Sequence, residues 1–164
     1  MNWEMIGAIG QLGAAIGVVP SLIYLAIQVR DQNKERGRAS LDLLSLQWAD
    51  LIRSINESPD FGLIYLRGLQ SYEELDPQSK IRFGAYLLRF CKQFEGMYFH
   101  YLDGTLRQST WVALERSMAD VFAYPGAQAW WRSRKHWYTD ETCRVIDRLI
   151  AEVGKPQAYS GFTG

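Results

Sequence analysis

The chain has 164 residues, of which 48% are hydrophobic; 18 Lys and Arg balance 18 Asp and Glu, for a formal charge of zero. That balance excludes a net electrostatic pull towards nucleic acid, so no nucleic-acid partner is expected. Two cysteines, Cys91 and Cys143, stand far apart with no CxxC pair, which reads as buried thiols in a reducing cytoplasm ahead of a disulfide between them, with a metal site last.

The charges are unevenly placed. Residues 5–29 carry none; Glu4 precedes the stretch and Arg30 follows it. A bilayer core about 30 Å thick needs ~20 helical residues, and a single segment satisfies its backbone in lipid only as a helix. The stretch predicts a transmembrane anchor over 1–30, with Trp3 and Tyr24 at the interfaces. The competing readings are a buried core helix, which is ordinarily shorter and carries some charge, and a cleaved signal peptide. The latter begins with a basic region, whereas Asn2-Trp3-Glu4 has an acid and no base. Basic flanks stay in the cytoplasm. Arg30, Lys34, Arg36 and Arg38 follow the stretch and no base precedes it, so the expected topology has the amino terminus outside. The same four bases are candidate contacts to lipid headgroups.

On a helical wheel Gly7, Gly10, Gly13, Ala14, Gly17, Ser21, Tyr24 and Gln28 share one face, with Gln11 at its border; Ile9, Leu12, Ile16, Val19, Leu22, Ile23, Leu25 and Ile27 form the other. Membrane helices associate by close packing and hydrogen bonds, which small residues permit. The small face therefore predicts self-association, or a ring in which Gly10, Gln11, Gly13, Gly17 and Ser21 pack around or line a pore. Pro20 removes one backbone bond and is expected to kink the helix.

Residues 31–57 predict a juxtamembrane helix, into which the first helix can run with Gly37 a weak point. Leu41, Leu44, Trp48, Leu51 and Ile55 recur at three- and four-residue steps; at barely two heptads this seam reads as one face of a bundle helix rather than a coiled coil. Ser58-Pro59 ends it. Residues 58–154 predict a cytoplasmic helical bundle, and no strand pattern is visible. A helix over 59–69 is followed by Asp76-Pro77, a cap with proline in the first turn. The helix it opens runs to about Leu102 and stops at Asp103-Gly104. It is apolar over most of its circumference, Ile81 included, with a narrow polar strip of Gln78, Arg82, Arg89, Lys92 and Gln93, so it reads as the central helix. Helices over 110–122, 125–137 and 140–153 complete the bundle. A tail, 155–164, carries Tyr159 and Phe162 and is expected to be disordered unless those rings dock on a partner.

Candidate chemistry is sparse. His100 follows Glu95 by five residues, a spacing that puts no ligand pair on one helix face, and Glu-x-x-His is absent. No nucleophile elbow, phosphate loop or dinucleotide fingerprint occurs. No catalytic residue, metal site or cofactor is expected. One cluster stands out, Trp130-Trp131-Arg132-Ser133-Arg134-Lys135-His136-Trp137. Its ordinary reading is Trp in the core with the bases reaching water. Its alternative is stacking and charge contact with anionic lipid, a nucleotide or a single strand or, with the helix near the membrane, contact of Arg132, Arg134 and Lys135 with headgroups. Trp130, Arg134 and Trp137 share one side of a helix there.

The chain resembles a family of short bacterial proteins that open with Trp-x-x-Ile-Gly-x-Ile-Gly, here Trp3 to Gly10. They continue with Leu-Ile-Tyr-Leu-Ala-x-Gln-Val-Arg, here Leu22 to Arg30, and later carry Pro-Gly-x-x-x-Trp-Trp, here Pro125 to Trp131. The resemblance implies a bacterial inner-membrane protein and supplies no activity. Taken together, the expected protein is all-α: one transmembrane helix followed by a cytoplasmic bundle, with the bilayer, further copies of itself and an unidentified protein as partners. The leading expectation is a self-associating assembly or interaction module without enzymatic chemistry. The alternatives are a homo-oligomeric channel and a membrane enzyme with an aromatic pocket.

Overall fold

The computed structural model describes the backbone of residues 3–155, 158, 159 and 161, and the side chains of those except 3–17, 34, 36–38, 40, 54 and 56. Over the described residues the protein is helical throughout, with no strand. The α-helices are α1 (Trp3–Asn56), α2 (Pro59–Gln70), α3 (Pro77–Leu102), α4 (Gln108–Phe122), α5 (Pro125–Arg134) and α6 (Asp140–Glu152), with a 3₁₀ turn at Lys135–Trp137 between the last two. The chain divides into two compact units, Met1–Ser40 and Leu41–Gly164.

In the first unit, α1 continues through both Pro20 and Gly37 without a break in the helix. Its side chains from Val18 to Asn33 are exposed. Among the described residues no helix is long and apolar enough to cross a membrane. Their apolar run on α1 begins at Val18 and meets Arg30, and the preceding half of the uncharged stretch lies outside the described side chains.

The second unit is a helical bundle that opens inside the segment 31–57. Leu51 is buried, and Leu41, Leu44, Trp48 and Ile55 are half-buried, while Leu43, Leu46 and Ile52 face outward. The seam is thus one face of a bundle helix: Trp48 packs on Phe90 of α3 with ring centroids 5.4 Å apart. Helix α3 supplies the middle of the core through Phe83, Leu87, Phe90, Cys91 and Phe94. Around it α2 packs on α3 and α5, and α4 packs on α3, α5 and α6. Trp111 and Phe122 from α4, Trp130 and Trp131 from α5 and Ile146 from α6 close the interior.

The helix ends follow local chemistry. Asp76 accepts the backbone N–H groups of Gln78 and Ser79 at 3.0 Å each, satisfying donors that a helix leaves orphaned; bonds from Ser79 and then Gln78 hold its carboxyl below the ordinary value. Gly104, at φ +69, terminates α3, a conformation glycine adopts without a Cβ penalty. Helix α6 is capped by Thr139, whose Oγ1 accepts the Thr142 N–H at 3.3 Å.

Three expectations need correction. Ile81 is 73% exposed, and Gln93, assigned to the polar strip, is 6% exposed, because the neighbours of α3 cover the side of the helix that carries Gln93. The last residues of the 125–137 helix wind into the 3₁₀ turn. Of the tail, the described residues Ala158 and Tyr159 pack on their own chain: Tyr159 meets the Tyr65 ring edge-on at 5.7 Å, and the Ala158 N–H donates to Asp120 Oδ1 at 3.4 Å. Phe162 lies outside the described residues.

Candidate functional site

Of the face expected to pack between membrane helices, the side chains of Gly7, Gly10, Gln11, Gly13, Ala14 and Gly17 lie outside the described residues, as do those of Lys34, Arg36 and Arg38 among the basic flank. Ser21, Tyr24, Gln28 and Arg30 are described and exposed. With them stand Val18, Val19, Leu22, Ile23, Leu25, Ile27 and Val29, each roughly half exposed. Successive residues on a helix point in directions 100° apart, so these apolar side chains cover one broad side of α1, and Ser21, Tyr24 and Gln28 stand together on the other.

The tryptophan and base cluster divides in two. Trp131 is buried against Phe122 and Tyr138, and its Nε1 donates to Asp147 Oδ1 at 2.8 Å. Lys135 reaches the other oxygen of that carboxylate at 3.0 Å, so this candidate headgroup contact already has an anionic partner. Arg132 is exposed. Trp130, Arg134 and Trp137 turn the opposite way and line a common cleft of about 450 Å³. The shared side expected from the sequence is therefore met, although Trp137 arrives there from the 3₁₀ turn.

The facing wall of the cleft comes from α3 and the loop before it. Pro77, Ile81 and Leu88 give apolar surface, and Gly84 and Ala85 leave its floor low. A Cβ on Gly84 would stand 3.1 Å from Trp130 Nε1, so the absent side chain is what lets the indole lie over the helix. Tyr72 closes one end, with Lys80 Nζ 5.8 Å from its ring centroid. The Arg134 guanidinium lies 5.0 Å from the Trp137 ring centroid. Lys80 also faces Glu73 at 3.8 Å, a carboxylate on a side chain 78% exposed. The sequence reading missed this wall. Its trace in the sequence is Lys80, Gly84 and Leu88 at four-residue steps, one helix face on which a glycine stands among bulky neighbours.

A polar latch lies elsewhere in the bundle. Buried Glu95 accepts from Lys92 Nζ at 2.7 Å, from the Thr139 N–H at 3.1 Å and from Thr139 Oγ1 at 3.3 Å, joining α3 to the start of α6. Burial pushes its carboxyl up, but the bonds from Lys92, Thr139 and Thr142 prevail and hold it below the ordinary value. His100 Nδ1 lies 2.8 Å from Thr105 Oγ1. Cys91 and Cys143 are free thiols, Cys91 buried and Cys143 half-buried, and burial pushes both thiols up. Among the described residues no group of three or more His, Cys, Asp or Glu side chains could hold a metal.

No family model, curated protein or solved structure matches the chain.

Proposed function

We propose that the chain is a single-pass, membrane-anchored helical module that assembles through its anchor and presents the Leu41–Gly164 bundle on the cytoplasmic side to hold a protein partner or another copy. The observation that carries this reading is the apolar side of α1: from Val18 to Val29 every large apolar side chain stands about half exposed. Water is a poor solvent for such a surface, and contiguous exposed apolar area marks a membrane or protein contact. The uncharged sequence extends the same character back to Met5, giving a length sufficient to span. The bases after it support the inward orientation, and the small face of Gly7, Gly10, Gly13, Ala14, Gly17 and Ser21 supports association.

The test is alkaline extraction and flotation of the full chain with bacterial membranes. The wild type floats with lipid after extraction, and Val19→Arg/Leu22→Arg moves it to the aqueous fraction, since each arginine near the helix centre disfavours insertion by about 3 kcal/mol. A wild-type chain released by alkali overturns the anchor. Assembly is read from native mass in mild detergent, where Gly13→Leu/Gly17→Leu dissociates the oligomer; an oligomer indifferent to both changes removes that face as the contact.

A further inference from the structure

We propose that the cleft between α3 and α5 is a binding site for a small planar aromatic acid, a fused or single ring bearing a carboxylate, sulfonate or phosphate. The lining carries the inference. Its side chains include two cations, Lys80 and Arg134, two indoles, Trp130 and Trp137, and the phenol of Tyr72; the other lining side chains are apolar, and no carboxylate or amide is among them. A wall with two cations and no carboxylate asks for an anionic group that accepts their hydrogen bonds. Three aromatic rings beside a floor lowered by Gly84 and Ala85 ask for a flat apolar body. The volume of about 450 Å³ lies within the range of small-ligand pockets, which are mostly apolar with a few polar groups that fix orientation.

The two cations are available to an incoming anion. The pair between Lys80 and Glu73 is long, 3.8 Å, and its carboxylate sits in water, where such pairs contribute little. Arg134 donates to the Ser133 carbonyl at 3.2 Å and lies over Trp137, which leaves further N–H groups of its five-donor fork for an acid group. Arginine stacked on an indole also orients a planar anion while keeping its charge. Gly84 has a second use here: a Cβ at that position would stand 3.1 Å from Trp130 Nε1, so the indole would have to shift by a few tenths of an ångström.

The experiment is a titration of the full chain in mild detergent with naphthalene-2-sulfonate, followed by tryptophan fluorescence and calorimetry, with protein-free micelles as the blank. Sodium sulfate and naphthyl-trimethylammonium serve as charge-only and reversed-charge probes. The aromatic anion saturates one site per chain, and the other two probes bind at least tenfold more weakly. Lys80→Gln/Arg134→Gln weakens the anion at least tenfold, Ala85→Phe, from an exposed floor position, blocks it, and Arg132→Gln, outside the cleft, leaves it unchanged. Absence of saturable binding overturns the site, and so does binding that the double variant and Ala85→Phe both leave intact. Equal binding of the two naphthyl ions reduces the cleft to an apolar patch, and sulfate bound as tightly as the naphthyl anion removes the aromatic half of the proposal. None of these outcomes depends on whether α1 is an anchor.

Discussion

Glu95 shows how one buried charge can decide a junction. Its carboxylate receives a lysine ammonium, a backbone N–H and a hydroxyl, and the N–H comes from Thr139, the cap of α6, where a helix N-terminus favours negative charge. Lys92 doubles the tie by donating to the Trp137 carbonyl at 3.0 Å and lying 4.3 Å from the Tyr138 ring centroid. Hydrogen bonds to a charged group contribute roughly 1.5–3 kcal/mol, and a neutral isostere keeps part of that. Glu95→Gln is therefore expected to lower unfolding free energy by about 1–2 kcal/mol at neutral pH, read from the urea midpoint. The pH dependence follows from the carboxyl's lowered folded value. The contribution is fully present above the ordinary carboxylate value of 4.5 and disappears as pH falls below it through the folded value. The gap between wild type and Glu95→Gln should accordingly shrink between neutral pH and about pH 3. A gap that persists in acid would mean that Glu95 acts through shape rather than charge.

At the scale of elements, glycines govern how the helices meet. A Cβ on Gly126 would lie 1.8 Å from the Gly68 carbonyl oxygen, and one on Gly68 would lie 2.5 Å from the Phe83 ring. The first turn of α5 thus rests on the backbone of α2, and backbone cannot rotate aside as a side chain can. Gly126→Ala is expected to cost at least about 3 kcal/mol, the upper end of overpacking. Gly62, also in α2, has nothing within 4 Å of its hypothetical Cβ, so Gly62→Ala should instead stabilise by about 0.5–1 kcal/mol through helix propensity. Thermal or urea midpoints of the two variants check both signs. The contrast marks what the sequence could disclose. Asp76-Pro77 and Asp103-Gly104 announce the ends of α3 because caps are local chemistry, and Pro125 announces the start of α5 for the same reason. Gly62, Gly68 and Gly126 look alike in the sequence, because their difference lies in what crosses them. The same holds for Gln93 and Ile81, whose burial depends on the partners of α3, and for the cleft, whose Lys80 and Arg134 are brought together only by the packed bundle.

For the whole molecule the question is where the self-sufficient core begins. Among the described residues every buried member of the core cluster lies at Leu51 or beyond, and Trp48 packs against it from the preceding turns of α1. The seam of Leu41, Leu44, Trp48 and Leu51 therefore belongs to the bundle energetically, although the sequence groups it with 31–57: its partners, Phe90 and Gly96 of α3, are distant along the chain and leave no local trace. A chain begun at Leu41 retains every described member of the core and is expected to unfold in one cooperative urea transition. A chain begun at Ser58 lacks Leu51, which is 1% exposed, and strips Trp48 from Phe90. Losing two large core side chains costs on the order of 5 kcal/mol, comparable with the whole stability of many domains. That shorter chain should show a broadened transition and weakened near-ultraviolet circular dichroism. Equal cooperativity in the two chains would place the start of the core at α2 and reduce the last turns of α1 to a surface attachment.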